Sequence, residues 1–263
     1  MTSSAQKAAI LTSLHIPGDP LIVTNVWDAI TARVVGGAKG VRALASASHA
    51  VSFAHGVPDN EGLTLEQALA AAALIIDAVD IPVSIDFEKG YAPDAAGVTQ
   101  SVARLIEAGA AGLNIEDSLA SASGPVRPLD EAVARVAAAR AAADDAGVPL
   151  AINARVDALV STPRDWAGAM DRANSYLDAG ATSIFVLGLP TEGLVERAVR
   201  DILGPVSVIS NPTSVPLRRL ADLGVARVSF GPGVMGLTLA HLQRAAVTLS
   251  ALGDYPEELG FSY

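Results

Sequence analysis

The chain has 263 residues, 51% of them hydrophobic and only 4% aromatic, with a formal net charge of −10 spread along its length. This composition supports a sizeable aliphatic core and excludes a disordered chain, and the acidic balance argues against nucleic acid or anionic lipid as a partner. No cysteine is present, which removes disulfides, thiolate nucleophiles and Cys-ligated metals from consideration.

At the N-terminus, MTSSAQKAAILTSLHIPGDP carries His15 and Asp19 and lacks the apolar segment and cleavage site of a signal peptide. No apolar run approaches the roughly 20 residues that a bilayer span requires. A soluble, cytoplasmic protein with a small-molecule partner is therefore the expectation. Strands are predicted at 21–25, 41–46, 82–86, 111–117, 150–155, 182–188, 206–210 and 226–232, each apolar on both alternations, as parallel strands covered on both faces are. The clearest helices fall between them, at 65–79, 95–108, 130–146, 164–179 and 234–252. Several helices run into the punctuation GGAKG, EAGAAG, DAGVP, DAGAT or DLGVA, where a glycine supplies the left-handed cap before the next strand. Strand followed by helix, eight times over, predicts an α/β (β/α)8 TIM-type barrel forming one domain over 1–263, with an open doubly wound sheet as the alternative. Against that alternative, TNVWDAI follows the first strand where a glycine-rich dinucleotide fingerprint would stand.

Active sites of such barrels lie at the C-terminal ends of the strands. There the sequence offers Asn25, Ser46 to Ser48, Asp86 with Glu88, Glu116 with Asp117, Arg155 with Asp157, Asn211 and Gly231. In extended backbone Asp86 and Glu88 leave the same face, and two like charges so placed call for a cation or proton between them. With Glu116 they form a hard oxygen donor set suited to Mg²⁺, with Mn²⁺ as a substitute. The plainer alternatives are that Glu88 pairs with Lys89 or Arg104 and that Arg155 pairs with Glu116. Arg155 is otherwise a candidate clamp for a carboxylate or a developing oxyanion. The small-residue stretch after the second strand, ASASHAVSFAHGVPDNEG, reads as a loop whose backbone approaches an anion. In it His49 and His55 lack partner spacing and read as loop histidines, and Asp59 sits in a Pro-Asp-Asn turn. Asn211 is counted among the substrate-binding candidates.

In order, NVWDAITAR, SIDFEKGYA, GLNIEDS, INARVDA and LGVARVSFGPG resemble the isocitrate lyase and phosphoenolpyruvate mutase superfamily, in its shorter bacterial branch. The resemblance implies a (β/α)8 barrel in a homo-oligomer, dimer or tetramer, with its last helix exchanged between neighbours. It also implies a Mg²⁺ that binds a 2-oxo acid or its enolate. Carried over by position, Asp86 is the direct metal ligand, with Glu88 and Glu116 acting through water. Arg155 clamps the substrate carboxylate and enolate oxygen; Ser46, Ala47 and Ser48 bind the substrate carboxylate; Asp59 is the acid of a mobile loop. Succinate-releasing lyases carry K-[KR]-C-G-H in a loop whose counterpart here is ASGPV, with Gly124 at the Cys place. Chemistry without a thiol is thereby implied: a Mg²⁺-dependent lyase that decarboxylates or cleaves a small 2-oxo dicarboxylate through an enolate. The alternatives are a phosphonopyruvate-type hydrolase or mutase and a 2-oxo acid binder without turnover.

Overall fold

The computed structural model describes residues 2–161 and 164–261. Helix α1 (Ser4–Ser13) comes first, then β1 (Leu21–Val23), β2 (Asn25–Val26), α2 (Ala29–Gly36), β3 (Leu44–Ser46), α3 (Ser48–Ala54) and α4 (Leu65–Asp77). The middle of the chain forms β4 (Val83–Asp86), α5 (Ala95–Glu107), β5 (Gly112–Glu116), α6 (Leu129–Asp145), β6 (Ala151–Val156) and α7 (Trp166–Asp178). It ends in β7 (Ser183–Val186), α8 (Glu192–Asp201), β8 (Val206–Ile209), α9 (Leu217–Asp222), β9 (Arg227–Ser229) and α10 (Gly233–Ser250).

Every strand pairing is parallel, in the order β1-β9-β8-β7-β6-β5-β4-β3-β2. The first predicted strand is split at Thr24: β1 pairs with β9 while β2 pairs with β3, so one continuous stretch of chain changes partner and brings the two sides of the sheet together. Asn25 stitches this seam, donating from Nδ2 to the Ser46 carbonyl at 2.9 Å and accepting the Phe230 N–H at 2.8 Å. The result is a nearly closed TIM-like barrel, and the open-sheet alternative is overturned by the β1–β9 pairing.

Sequence periodicity accounts for the layers. Apart from Ile22 in β1, the strands are buried or nearly so on both faces, and helices such as α4 and α5 turn Leu69, Ile75 and Ile76, and Val98, Val102 and Leu105, onto them. Thr64 caps α4 in the box with Gln67 that its spacing predicts. Left-handed φ angles of 94° at Gly109 and 100° at Gly180 turn α5 and α7 back into their next strands. Two expectations change. Strand pairing begins at Leu44 rather than Val41 and runs only over Arg227–Ser229 in the last strand. The stretch after β3 is not an open loop, because Ser48–Ala54 closes into helix α3.

At the N-terminal ends of the strands α1 forms a floor. Ala8 and Leu11 pack with Leu21, Val23, Ala43, Ala45, Ala111 and Ala151, all fully buried. A side chain on Gly112 would place its Cβ 2.8 Å from Leu11 Cδ2 and 2.6 Å from the Ala151 carbonyl, so glycine is required for that close approach.

Candidate active site

Asp86 ends β4 at the mouth of the barrel. Its Oδ2 accepts the Ser48 N–H at 3.0 Å, and its own N–H donates to Ser46 Oγ at 2.8 Å. Behind it a row of interior side chains crosses three strands. Ser183 Oγ donates to Asn153 Oδ1 at 2.7 Å, Asn153 Nδ2 to Asn114 Oδ1 at 2.8 Å, and Asn114 Nδ2 reaches Asp86 Oδ1 at 3.5 Å. Inside a barrel such groups must satisfy one another, and the row fixes the orientation of the carboxylate at its end.

The ends of β5 and β6 carry the buried charge. Arg155 Nη1 lies 2.6 Å from Glu116 Oε2 and its Nε 2.8 Å from Asp157 Oδ1, so the ion pair anticipated as the plainer alternative is present. Ser118 Oγ donates to Glu116 Oε1 at 2.8 Å. Beneath them Asp117 Oδ1 accepts the Asp157 N–H at 3.0 Å, and Asp117 Oδ2 accepts the Tyr176 hydroxyl at 2.8 Å. Burial pushes Glu116 up to about 7; Arg155 opposes this, and the nearby Asp157 and Asp86 add to it. Burial likewise pushes Asp157 up to about 6 against the pull of Arg155. Burial works against the charge of Arg155, but Glu116 and Asp157 outweigh it and hold the guanidinium protonated.

A cavity of about 200 Å³ opens here, with Ser48, His49, Asp59, Asp86, Asn114 and Arg155 in its wall. Ser46 and Ala47 line it too. The Ser48 N–H, expected to meet substrate, is engaged by Asp86. His49 does not sit in an open loop: it belongs to α3 and faces this cavity, with Nδ1 3.6 Å from Asp59 Oδ2.

Three of the expected residues stand apart from that wall. Glu88 does not share the face of Asp86. Regular strand geometry stops at Asp86, and Glu88 takes a left-handed φ of 48°, so the two-residue alternation no longer applies. Its carboxylate is buried under the Asp59 loop, accepting the Glu61 N–H and the Tyr91 hydroxyl, both at 2.5 Å. Neither Lys89 nor Arg104 is its partner: Lys89 lies 4.0 Å from Glu61, and Arg104 pairs with Glu66. Glu116 is committed to Arg155 and Ser118. Asn211 is exposed, and its Oδ1 accepts from Thr213 N and Oγ1 in a local turn, beside a separate groove.

The family profile described as Phosphoenolpyruvate phosphomutase matches residues 11–250. The chain belongs to this family. Its superfamily is one of lyases and mutases acting on small acids. An uncharacterized protein of Mycobacterium tuberculosis is 35% identical over 236 residues, 88% of this chain and 86% of that protein. An oxaloacetate decarboxylase of Pseudomonas entomophila is 32% identical over 217 residues, 79% of this chain and 72% of that protein. Among solved structures, a Burkholderia cenocepacia protein provisionally described as a phosphonomutase superposes with a TM-score of 0.85 at 38% identity, covering 95% of this chain and all of that one.

Members of the superfamily are typically Mg²⁺-dependent, and the donor chemistry of this mouth fits such an ion. Glu116 and Asp157 pair with one guanidinium and Asp86 lies near enough to act on it, so the acids outnumber the cation, and Asp86 presents hard oxygen to the cavity. Among the described residues no three acids or histidines converge as a preformed metal cage. That suits an ion held by one carboxylate and completed by ligand oxygens and water rather than by an all-protein shell.

Strand-end reasoning found Asp86 and Arg155 but missed Asn114, Asn153, Glu61, Tyr91 and Arg135. Arg135 donates to the carbonyls of Lys89, Ala92 and Pro93 and so fixes the loop that follows Asp86. The inward alternation of Asn114 and Asn153 along their strands was a usable signal. The Glu61 contacts, made across a loop, left none.

Proposed function

We propose that this protein is a Mg²⁺-dependent lyase acting on a small 2-oxo acid or dicarboxylate, with decarboxylation of an oxaloacetate-like acid as its simplest reaction. The observation that carries the reading is the meeting of Asp86 and Arg155 in one wall of a small cavity, in a chain without any thiol. Asp86 would hold the ion directly, with Glu116 behind it and Glu88 steadying the loop above. When bound, Mg²⁺ supplies a Lewis acid that draws charge from the keto oxygen.

The protein's own groups account for the rest. Arg155 is held protonated and aimed by two carboxylates, and among the described residues its Nη2 makes no hydrogen bond. It is the donor left for a substrate carboxylate or for the oxygen on which enolate charge develops. Ser46 and Ser48 hold Asp86 in place, so binding an ion requires no rearrangement of the strand end. Breaking the C3–C4 bond releases CO2 and needs no acid at the leaving group, which is consistent with Gly124 at the Cys place.

The test is release of pyruvate from oxaloacetate with and without Mg²⁺. Asp86→Asn is expected to lower kcat/KM by about a thousandfold or more while leaving the circular dichroism spectrum intact. The 38% identical Burkholderia cenocepacia protein favours a second reading, phosphonopyruvate hydrolysis or rearrangement, and phosphate release or isomerisation on that substrate would establish it. Tight oxalate binding without turnover across a 2-oxo acid panel would instead mark a binder.

The same reading includes a homo-oligomer. Along α10 only Met235 is buried, while Leu237, Leu242 and Val247 are 69%, 60% and 66% exposed. A long helix with this much bare apolar surface is suited to a second copy of the chain. Light scattering on the purified protein is expected to give a dimer or tetramer.

A further inference from the structure

The proposed reaction leaves an enolate whose C3 must be protonated, and nothing so far described supplies the proton. His49 is the one imidazole in the wall of the cavity among the described residues, and that wall holds no lysine or tyrosine. It is braced on two sides. Its ring stacks on Phe53 with centroids 5.0 Å apart and planes 15° apart, and Nδ1 faces Asp59 Oδ2 at 3.6 Å. Asp59 has a second oxygen, Oδ1, that is buried and makes no hydrogen bond among the described residues.

The loop that carries Asp59 is itself held. Asn60 and Glu61 take left-handed φ angles of 67° and 60°, an uncommon pair for residues with side chains. They are locked by the Glu61 N–H on Glu88 Oε2 and the Tyr91 N–H on Glu61 Oε1 at 2.8 Å. A carboxylate on a held loop, an imidazole facing its oxygen at 3.6 Å and a ligand cavity beside the ring have the arrangement of an orienter and an acid, needing only a small approach to reach hydrogen-bond length. Nε2 makes no protein hydrogen bond among the described residues, and the side chain is 45% exposed, which gives it both a free nitrogen and access to solvent protons.

We propose that His49, oriented by Asp59, is the proton donor to the enolate formed in this cavity; the proposal rests on the lyase reading above. When C3–C4 breaks, its electron pair becomes the C2=C3 π bond of the enolate and CO2 departs. That π pair then takes the Nε2 proton to form C3–H, the C2–O bond returns to a carbonyl, and the neutral imidazole is reprotonated from water. One proton is consumed for each CO2 released.

The experiment uses a 3-methyl-substituted oxaloacetate in deuterated water, so that protonation at C3 creates a stereocentre. Wild-type protein is expected to give 2-oxobutyrate deuterated at C3 in one configuration. His49→Ala and His49→Gln are expected to lower kcat by about a hundredfold or more and to yield racemic label, with added imidazole raising the rate of His49→Ala but not that of wild type. Oxalate affinity in the presence of Mg²⁺ is expected to be unchanged in both variants. If both variants retain rate and stereochemistry, the proton donor is overturned and the lyase reading stands. If they lose oxalate binding together with activity, His49 is part of the binding wall and the proposal is likewise overturned. Wild-type protein that turns over no 2-oxo acid would overturn the reading and the proposal together.

Discussion

The two ends of the barrel are made from the same strands and are opposites. β5 and β6 begin at the floor with Gly112 and Ala151, where Leu11 packs in a buried apolar cluster. They end at the mouth with Glu116 and Arg155, buried charges in direct contact. Stability and chemistry are thus separated along the strand axis, as in other barrels of this type. The floor gains mainly from burial of apolar surface, with His15 and Arg227 as its buried polar groups. The mouth holds charges that are tolerated only because each is met by another.

Removing the central cation should break this contrast most severely. Arg155→Met leaves Glu116 and Asp157 buried without their partner, and a loss of about 3–5 kcal/mol is expected in urea unfolding. At the floor, Leu11→Ala opens a cavity against Gly112 and should cost about 3 kcal/mol, yet leave oxalate affinity unchanged because no charge at the mouth moves. A floor variant that altered ligand affinity would show that the two ends are coupled after all.

A smaller effect sharpens the contrast through pH. His15 is buried at the end of α1 with Nδ1 on the Leu11 carbonyl, and its pKa is pushed down to about 4, first by burial and then by Arg227. The unfolded chain takes up this proton near 6.5, so the folded state binds fewer protons. The stability that neutral His15 provides is complete above that value and is lost as pH falls toward 4. Between pH 7 and pH 5 the wild type is expected to lose about 2 kcal/mol relative to His15→Gln. Taking the difference between the two proteins removes the opposing contribution of the carboxyls at the mouth.

The floor and the mouth were not equally legible in the sequence. Apolar runs such as VSID and AINAR mark buried parallel strands whatever surrounds them, and the barrel follows from their number and spacing. Asp86 and Arg155 were readable because they follow such runs directly. Thr24 was not readable as a break, since a β-branched residue suits a strand and the change of partner is imposed by closure. Helix α3 was hidden because seven residues of Ser, His, Ala, Val and Phe carry too little periodicity to register. Alternation misplaces Glu88 because it runs two residues past the end of β4 at Asp86, onto a residue whose own backbone is left-handed. The approach of His49 to Asp59 depends on how α3 and the following loop fold back on each other, which no local pattern encodes.

The split first strand bears on how the molecule is made. β1 rests on β9 through three residue pairs, Leu21 with Arg227, Ile22 with Val228 and Val23 with Ser229. β1 must therefore wait for a strand that follows it at long sequence separation before it finds its neighbour, and such distant pairing is slow. It is thus expected among the last strands to settle. Because the split leaves two short strands, one held by three residue pairs to β9 and the other by two to β3, amide exchange should be fastest along 21–26 among the strands.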